Sequence, residues 1–190
     1  IELRAILKRK KSTAKIIAKI ENQEGLDNIH EITQAADIIM VARGDLGIET
    51  DLADLPNIQR RIMYSTAKWG RRSIVATHLL ESMISHPTPT RAEVTDVANA
   101  IYEGADAVML SGETSVGKYP IKCLQMLKNI ANKTEHFRTL GYEEHLTIDS
   151  DWQNIALGAR DLADRIKADG ILVITRSGQT ANVISNTKPF

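Results

Sequence analysis

Residues 15–42 read KIIAKIENQEGLDNIHEITQAADIIMVA, and this stretch decides the fold. It opens with KIIAKI (15–20), an isoleucine-rich run too short for a helix and suited to a strand buried on both faces. Leu26, Ile29 and Ile32 then recur at three-residue steps, followed by Ala35 and Ala36, the spacing of a helix with one buried face. Residues 38–42 (IIMVA) read as a second strand.

The same alternation continues downstream. Gly44 and Gly47 predict a loop after the second strand. Ile58, Ile62, Met63 and Ala67 mark a helix closed by Gly70. Residues 73–76 (SIVA) form a third strand, and the longer connection from His78 to Arg91, with Pro87 and Pro89, has the size of an active-site loop. A helix over 92–102 ends before Gly104, residues 107–110 (AVML) are a fourth strand, and Pro120 opens a helix reaching about Phe137. Four successive βα units argue for a parallel sheet. Their repeat of about 25 to 35 residues matches a (β/α)₈ barrel, of which four strands are half.

The pattern changes at both ends. Residues 138–151 are polar and turn-rich and read as a linker. Beyond it Ile155, Ala159, Leu162 and Ile166 trace a helix stripe, residues 171–174 (ILVI) read as a strand, and TRSGQT (175–180) is a polar turn entering a short helix. The expected organisation is α/β throughout: the C-terminal half of a TIM (β/α)₈ barrel over 1–137, a linker over 138–151, and the beginning of an α/β C-terminal domain over 152–190. Upstream, IELRAILKRKK (1–11) opens inside a helical pattern without an initiator methionine, so the chain is expected to be a piece of something longer. Its basic run, Lys8–Lys11, reads as the solvated end of the first helix.

Composition sets limits. The 190 residues carry 24 basic and 24 acidic side chains, giving no reason to expect a nucleic-acid partner held by phosphate neutralisation. With 43% apolar and 25% charged residues the chain can build a core. No window approaches the apolar length of a membrane span, and the N-terminal residues lack the apolar centre of a signal peptide. The single cysteine, Cys123, excludes an intramolecular disulfide and suits a reducing compartment.

In parallel α/β folds chemistry gathers at the carboxyl ends of strands, and those ends are unusually polar here. Alternation puts Lys19 and Glu21 on one side of the first strand with Ile20 opposite. The second strand runs into Arg43-Gly44-Asp45, the third into Thr77-His78, the fourth into Ser111-Gly112-Glu113. Glu21 and Asp45, on adjacent strands, suit Mg²⁺ or Mn²⁺ rather than zinc, which would want His or Cys. Spacing leaves open the alternative that they pair with Lys19 and Arg43. Lys19 could neutralise charge developing on a bound anion or be a structural ion pair. Thr77 could contact a substrate or simply bond a loop amide. His78 reads as a loop packing residue. In Arg43–Gly47 the glycines let backbone amides approach a ligand. Thr90 and Glu93 have capping-box spacing.

Taken together, KIENQEG (19–25), MVARGDLGIE (40–49), ATHLLESM (76–83), PTPTRAEVTDVANAIYEGADAVMLSGET (87–114) and GKYP (117–120) closely resemble the pyruvate kinase family, in that family's order and spacing. DGILVITRSGQTANVISNTKPF (169–190) resembles the start of its C-terminal domain. The resemblance implies a cytoplasmic, Mg²⁺-dependent (or Mn²⁺-dependent) glycolytic phosphotransferase moving phosphate from phosphoenolpyruvate to ADP, with pyruvate and ATP as products. It implies Lys19 as the lysine stabilising the transferring phosphoryl group and enolate, and Glu21 and Asp45 as metal ligands. It implies Gly44 and Asp45 as backbone contacts to the substrate carboxylate, and Thr77 as the substrate-contacting threonine. Ser111 and Glu113 would lie near a proton-delivery water network. Thr175, Arg176, Ser177, Gly178 and Thr180 match a phosphate-holding loop for a sugar-phosphate or nucleotide effector; an ordinary strand-to-helix turn is the alternative. The resemblance also implies a homotetramer, a K⁺ requirement with ligands outside this span, and incomplete active-site machinery within it. His78-Leu79 departs from the family's usual Gln-Met, and Asn186–Phe190 from its aromatic-Arg-Pro sequence. Two other readings fit the sequence: a Mg²⁺-dependent lyase acting on pyruvate enolates from a related barrel, and a non-enzymatic truncated paralogue or oligomer-forming fragment.

Overall fold

A computed structural model describes residues 2–189. Ile1 and Phe190, the ends of two strings quoted above, lie outside the described residues. A first helix, α1 (Glu2–Arg9), leads into β1 (Ile17–Ile20). Asp37 ties this entry down: it accepts the Ile16 amide at 2.8 Å and the Arg4 guanidinium at 2.8 Å. The helix expected over 26–36 is two short ones, α2 (Gln23–Asp27) and α3 (Ile29–Ala35). They break at Asn28, whose side-chain amide donates to the Glu24 carbonyl at 2.8 Å and closes the first helix.

β2 (Ile38–Ala42) runs without a loop into α4 (Arg43–Glu49). The expected break at Gly44 and Gly47 is therefore a helix. Leu46 is fully buried beneath it, and the Thr50 amide and hydroxyl both close on the Leu46 carbonyl, at 2.9 and 2.6 Å. Burial of one leucine and a closed C-terminus outweigh the glycine propensities over so short a span.

The remaining barrel-type units follow: α5 (Leu55–Lys68), β3 (Arg72–Ala76), α6 (Arg91–Tyr102), β4 (Ala107–Met109), the short α7 (Gly112–Ser115) and α8 (Pro120–Thr134). All three strand pairings are parallel, in the order β1-β2-β3-β4. Ile20, Val41 and Val75 lie in register and are buried in one cluster with Ile29, Ile62, Val97 and Leu127 from the helices. Lys19, Met40, Ile74 and Ala107 lie in register on the opposite face, which the helices leave uncovered. Period-two alternation thus separates a helix-packed face from a face bearing Lys19.

The polar stretch 138–151 is seated on the helices. Its Leu140 amide donates to the Tyr102 carbonyl and its Thr147 amide to the Lys68 carbonyl, both at 2.7 Å. Tyr142 meets the Tyr64 ring edge-on at 5.9 Å. Beyond it lie α9 (Asp151–Ile166) and α10 (Gln179–Asn186), packed on each other. The strand expected at 171–174 does not form: Leu172 and Ile174 are 93% and 92% exposed. An apolar run becomes a strand only when a neighbour supplies the ladder, and no described strand lies beside this one.

Candidate functional site

The site grows from the carboxyl ends of the four strands. At the end of β1, Ile20 is buried, which turns Lys19 and Glu21 to the opposite side together, where they form a salt bridge. Hydrogen bonding and charge attraction from Glu21 raise the Lys19 pKa above the ordinary lysine value, and the charge of Asp45 adds to this. Lysine is an ammonium at neutral pH in any case, and this contact favours that form further. The next residue, Asn22, caps α2 by accepting the Gly25 amide at 2.9 Å, which fixes where the strand ends.

At the end of β2 the Arg43–Asp45 pairing left open as an alternative does not form. Arg43 is buried and turns away, donating to Asp96 Oδ1 at 2.7 Å and to the Thr77 carbonyl at 2.6 Å. Asp45 is left exposed on the first turn of α4, and no ion pair among the described residues holds it.

At the end of β3 two consecutive non-glycine residues have left-handed backbones, Thr77 at φ +69° and His78 at φ +55°. Sparsely populated conformations of this kind cost about 1–3 kcal/mol each and cluster at functional sites. The Thr77 hydroxyl accepts the Gly44 amide at 2.8 Å and donates to the Ala76 carbonyl at 2.6 Å. Thr77 and Gly44, anticipated separately, are thus bonded to each other. His78 is not a packing residue: its side chain is 62% exposed, 3.6 Å from the Glu81 carboxylate.

At the end of β4, Glu113 is buried. Its carboxylate accepts the Ser111 amide at 2.7 Å and the Leu80 amide at 3.2 Å, joining the loops after β3 and β4. Glu93 has a similar role. The Thr90–Glu93 capping box forms as anticipated, and the same carboxylate also takes the Ser82 amide at 2.7 Å and the Ser82 hydroxyl at 2.5 Å. Burial would raise its pKa, but the bonds from Ser82 and Thr90 outweigh that and lower it. A cleft of about 470 Å³ opens beside these loops, lined by Arg43, Gly44, His78, Asp96 and the apolar side chains of Ile48 and Leu52.

Among the described residues no three His, Cys, Asp or Glu side chains gather as a metal cage. The two carboxylates that could serve a metal at this rim are those of Glu21, which is paired with Lys19, and the exposed Asp45. That fits Mg²⁺ or Mn²⁺, because Mg²⁺ characteristically takes one or two carboxylates and fills its octahedron with water and substrate oxygens. In the 175–180 turn, Thr175 Oγ1 accepts the Gly178 amide at 3.1 Å and Ser177 Oγ accepts the Gln179 amide at 3.3 Å. Arg176 and Thr180 line a cavity of about 320 Å³ with Trp152 and Ile155.

Sequence reasoning missed the destination of Arg43, its partner Asp96 and the Glu93–Ser82 link. A buried arginine 53 residues from its carboxylate partner leaves no local periodicity to read.

The model of the family described as "Pyruvate kinase, barrel domain" matches residues 1–124. A pyruvate kinase of Methanocaldococcus jannaschii is 42% identical over 188 residues, covering 98% of this chain and 42% of that protein. One from Borreliella burgdorferi is 48% identical over 177 residues, covering 90% of this chain and 36% of that protein. The crystal structure of pyruvate kinase from Pyrobaculum aerophilum superposes with a TM-score of 0.91 at 34% identity, over 99% of this chain and 41% of that one. The chain therefore spans about two-fifths of the length of such relatives.

Proposed function

This chain belongs to the pyruvate kinase family, and on that premise we propose that its strand-end site serves Mg²⁺-dependent phosphoryl transfer from phosphoenolpyruvate to ADP, leaving pyruvate and ATP. The observation that carries the reading is the Lys19–Glu21 ion pair at the open end of β1, with the exposed Asp45 following the adjacent strand β2.

Phosphoryl transfer asks a protein mainly for positioning and electrostatic stabilisation. Lys19 supplies a fixed positive charge for the transferring group and for the enolate oxygen left behind. Glu21 and Asp45 are the residues to hold a divalent cation, which would supply Lewis-acid stabilisation of the same developing charge. The Gly44 amide is held by the Thr77 hydroxyl, so the Asp45 amide at the start of α4 would meet the substrate carboxylate, with Thr77 facing the substrate from the end of β3. Ser111 and Glu113 shape the floor of the loops around a water path. The activity is that of a complete protein in which the remaining strands, the K⁺ ligands and the nucleotide lid are present. We take that protein to be a cytoplasmic homotetramer, with residues 138–151 linking a barrel half (1–137) to the start of a C-terminal domain (152–190). The 175–180 turn there is a candidate for phosphate-bearing effectors, through its hydroxyls and the N-terminus of α10.

The test is a lactate-dehydrogenase-coupled assay with phosphoenolpyruvate, ADP and Mg²⁺ on the complete protein. Lys19→Met is expected to cut turnover by about 10²–10³, the usual loss on removing one electrostatic partner of the transition state. Near-normal turnover in that variant would remove Lys19 from the chemistry. The 190-residue polypeptide alone is expected to show no turnover.

A further inference from the structure

Arg43 holds three acceptors on two other elements. Its Nε lies 3.3 Å from both the Ala76 and Thr77 carbonyls, its Nη2 2.6 Å from the Thr77 carbonyl, and its Nη1 2.7 Å from Asp96 on α6. The two carbonyls belong to the peptide planes on either side of the Thr77 Cα. Fixing both planes fixes φ and ψ of Thr77. The Gly44 amide and the Ala76 carbonyl, on either side of the Thr77 hydroxyl, fix its χ1. Every torsion that aims Thr77 is thereby set by residues 43, 44 and 76.

That control is needed because the conformation is not one threonine chooses. A β-branched residue at φ +69° is a genuine outlier, and His78 at +55° continues it. Such geometry persists only where the surroundings over-determine it. The planar guanidinium fork reaches two carbonyls and a carboxylate at once, which a lysine ammonium on its flexible stem cannot reproduce.

We infer that Arg43, anchored by Asp96, is a positioning residue that holds Thr77 in its left-handed conformation and so fixes the place of its hydroxyl at the strand-end rim. The catalytic consequence rests on the phosphotransferase reading above; the conformational one does not.

The experiment uses the complete protein and the variants Arg43→Met, Arg43→Lys and Asp96→Asn, with Thr77→Val as reference. In the coupled assay Arg43→Met is expected to lower kcat by about tenfold to a hundredfold, the scale of a misplaced contact group, with the KM for ADP within about twofold. Arg43→Lys is expected to recover no more than a few-fold of this. Asp96→Asn, which keeps an acceptor but loses the charge, should fall between wild type and Arg43→Met. The independent readout is hydrogen exchange at the Gly44 amide. It is expected to speed up by about tenfold or more in Arg43→Met, as in Thr77→Val, while the amides of residues 39–41 keep their protection. Unchanged Gly44 exchange, or exchange that rises equally through β2 and β3, would overturn the inference. If Arg43→Met does not fold, the same exchange comparison on Asp96→Asn decides. If the wild-type protein transfers no phosphoryl group, the proposed function fails, while the exchange data still decide whether Arg43 holds Thr77.

Discussion

Replacing Glu93 by alanine should loosen the loop from Thr77 to Thr90, which its carboxylate ties to α6. One carboxylate there receives the amides of Ser82 and Thr90, each at 2.7 Å, and the hydroxyls of the same two residues at 2.5 and 2.9 Å. A hydrogen bond to a charged group contributes about 1.5–3 kcal/mol when well buried. The site is only partly buried, so water replaces some of what is lost, and the two hydroxyls can turn to solvent. Counting the two amide bonds at the lower end gives about 2–3 kcal/mol for Glu93→Ala, against about 1 kcal/mol expected for loss of an ordinary helix cap alone. Urea unfolding of wild type, Glu93→Ala and Glu93→Gln at pH 7 measures it, with Gln falling between because it keeps one acceptor oxygen. The pH dependence carries a sign. The folded pKa of Glu93 lies below its unfolded value. Its stabilisation is therefore fully present above the unfolded carboxylate pKa, near about 4.3, and is lost as pH falls through the lower folded value. The stability gap between wild type and Glu93→Gln should narrow as pH drops through that window. A Glu93→Ala cost no larger than a simple cap, or a gap that widens in acid, would refute the assignment of Ser82 to this carboxylate.

Asp106, at the foot of β4, accepts Lys188 at 2.5 Å, Arg72 at 2.9 Å and the Ser73 amide at 2.8 Å. Burial works to raise its pKa, but Lys188, the Ser73 amide and Arg72 together lower it. Asp106→Asn should cost about 2 kcal/mol in thermal or urea unfolding near neutral pH, with the difference vanishing as pH falls through the depressed folded pKa. Cys123 is buried, and burial, with the charges of Glu113 and Glu93, pushes its thiol pKa up to about 11. Ellman's reagent at pH 8 should find no reactive thiol in the native protein and one after unfolding in denaturant.

What the sequence made legible is what repeats locally. The four strands stand where apolar runs of four or five residues stand, and Ile20, Val41 and Val75 fall on the buried face because side chains alternate. The same alternation placed Lys19 with Glu21, and the three-residue offset of Thr90 and Glu93 foretold their capping box. The residues that misled are those whose state depends on a distant partner. Gly44 and Gly47 read as a loop because glycine propensity is local, whereas Leu46 finds its burial against other elements. Residues 171–174 read as a strand because their composition is right, yet pairing is a property of the neighbour. Arg43 read as a partner for Asp45, two positions on, because proximity in sequence is visible and Asp96 is not.

The division of cations at the rim follows from these partners and bears on how the site could work. Had Arg43 paired with Asp45, that carboxylate would have been neutralised by a guanidinium that never loses its proton. Instead Arg43 is buried on Asp96 and the backbone of Thr77, where breaking the pair would strand a desolvated charge. Lys19 and Glu21 form the opposite kind of pair. Both side chains are substantially exposed, at 53% and 40%, so their attachment is screened and exchangeable. On the proposed reading, Glu21 would be free to hold a dication and Lys19 its anion without uncovering a buried charge. The fixed cation thus shapes the backbone, and the exchangeable one stays at the exposed rim, where the proposed function needs it.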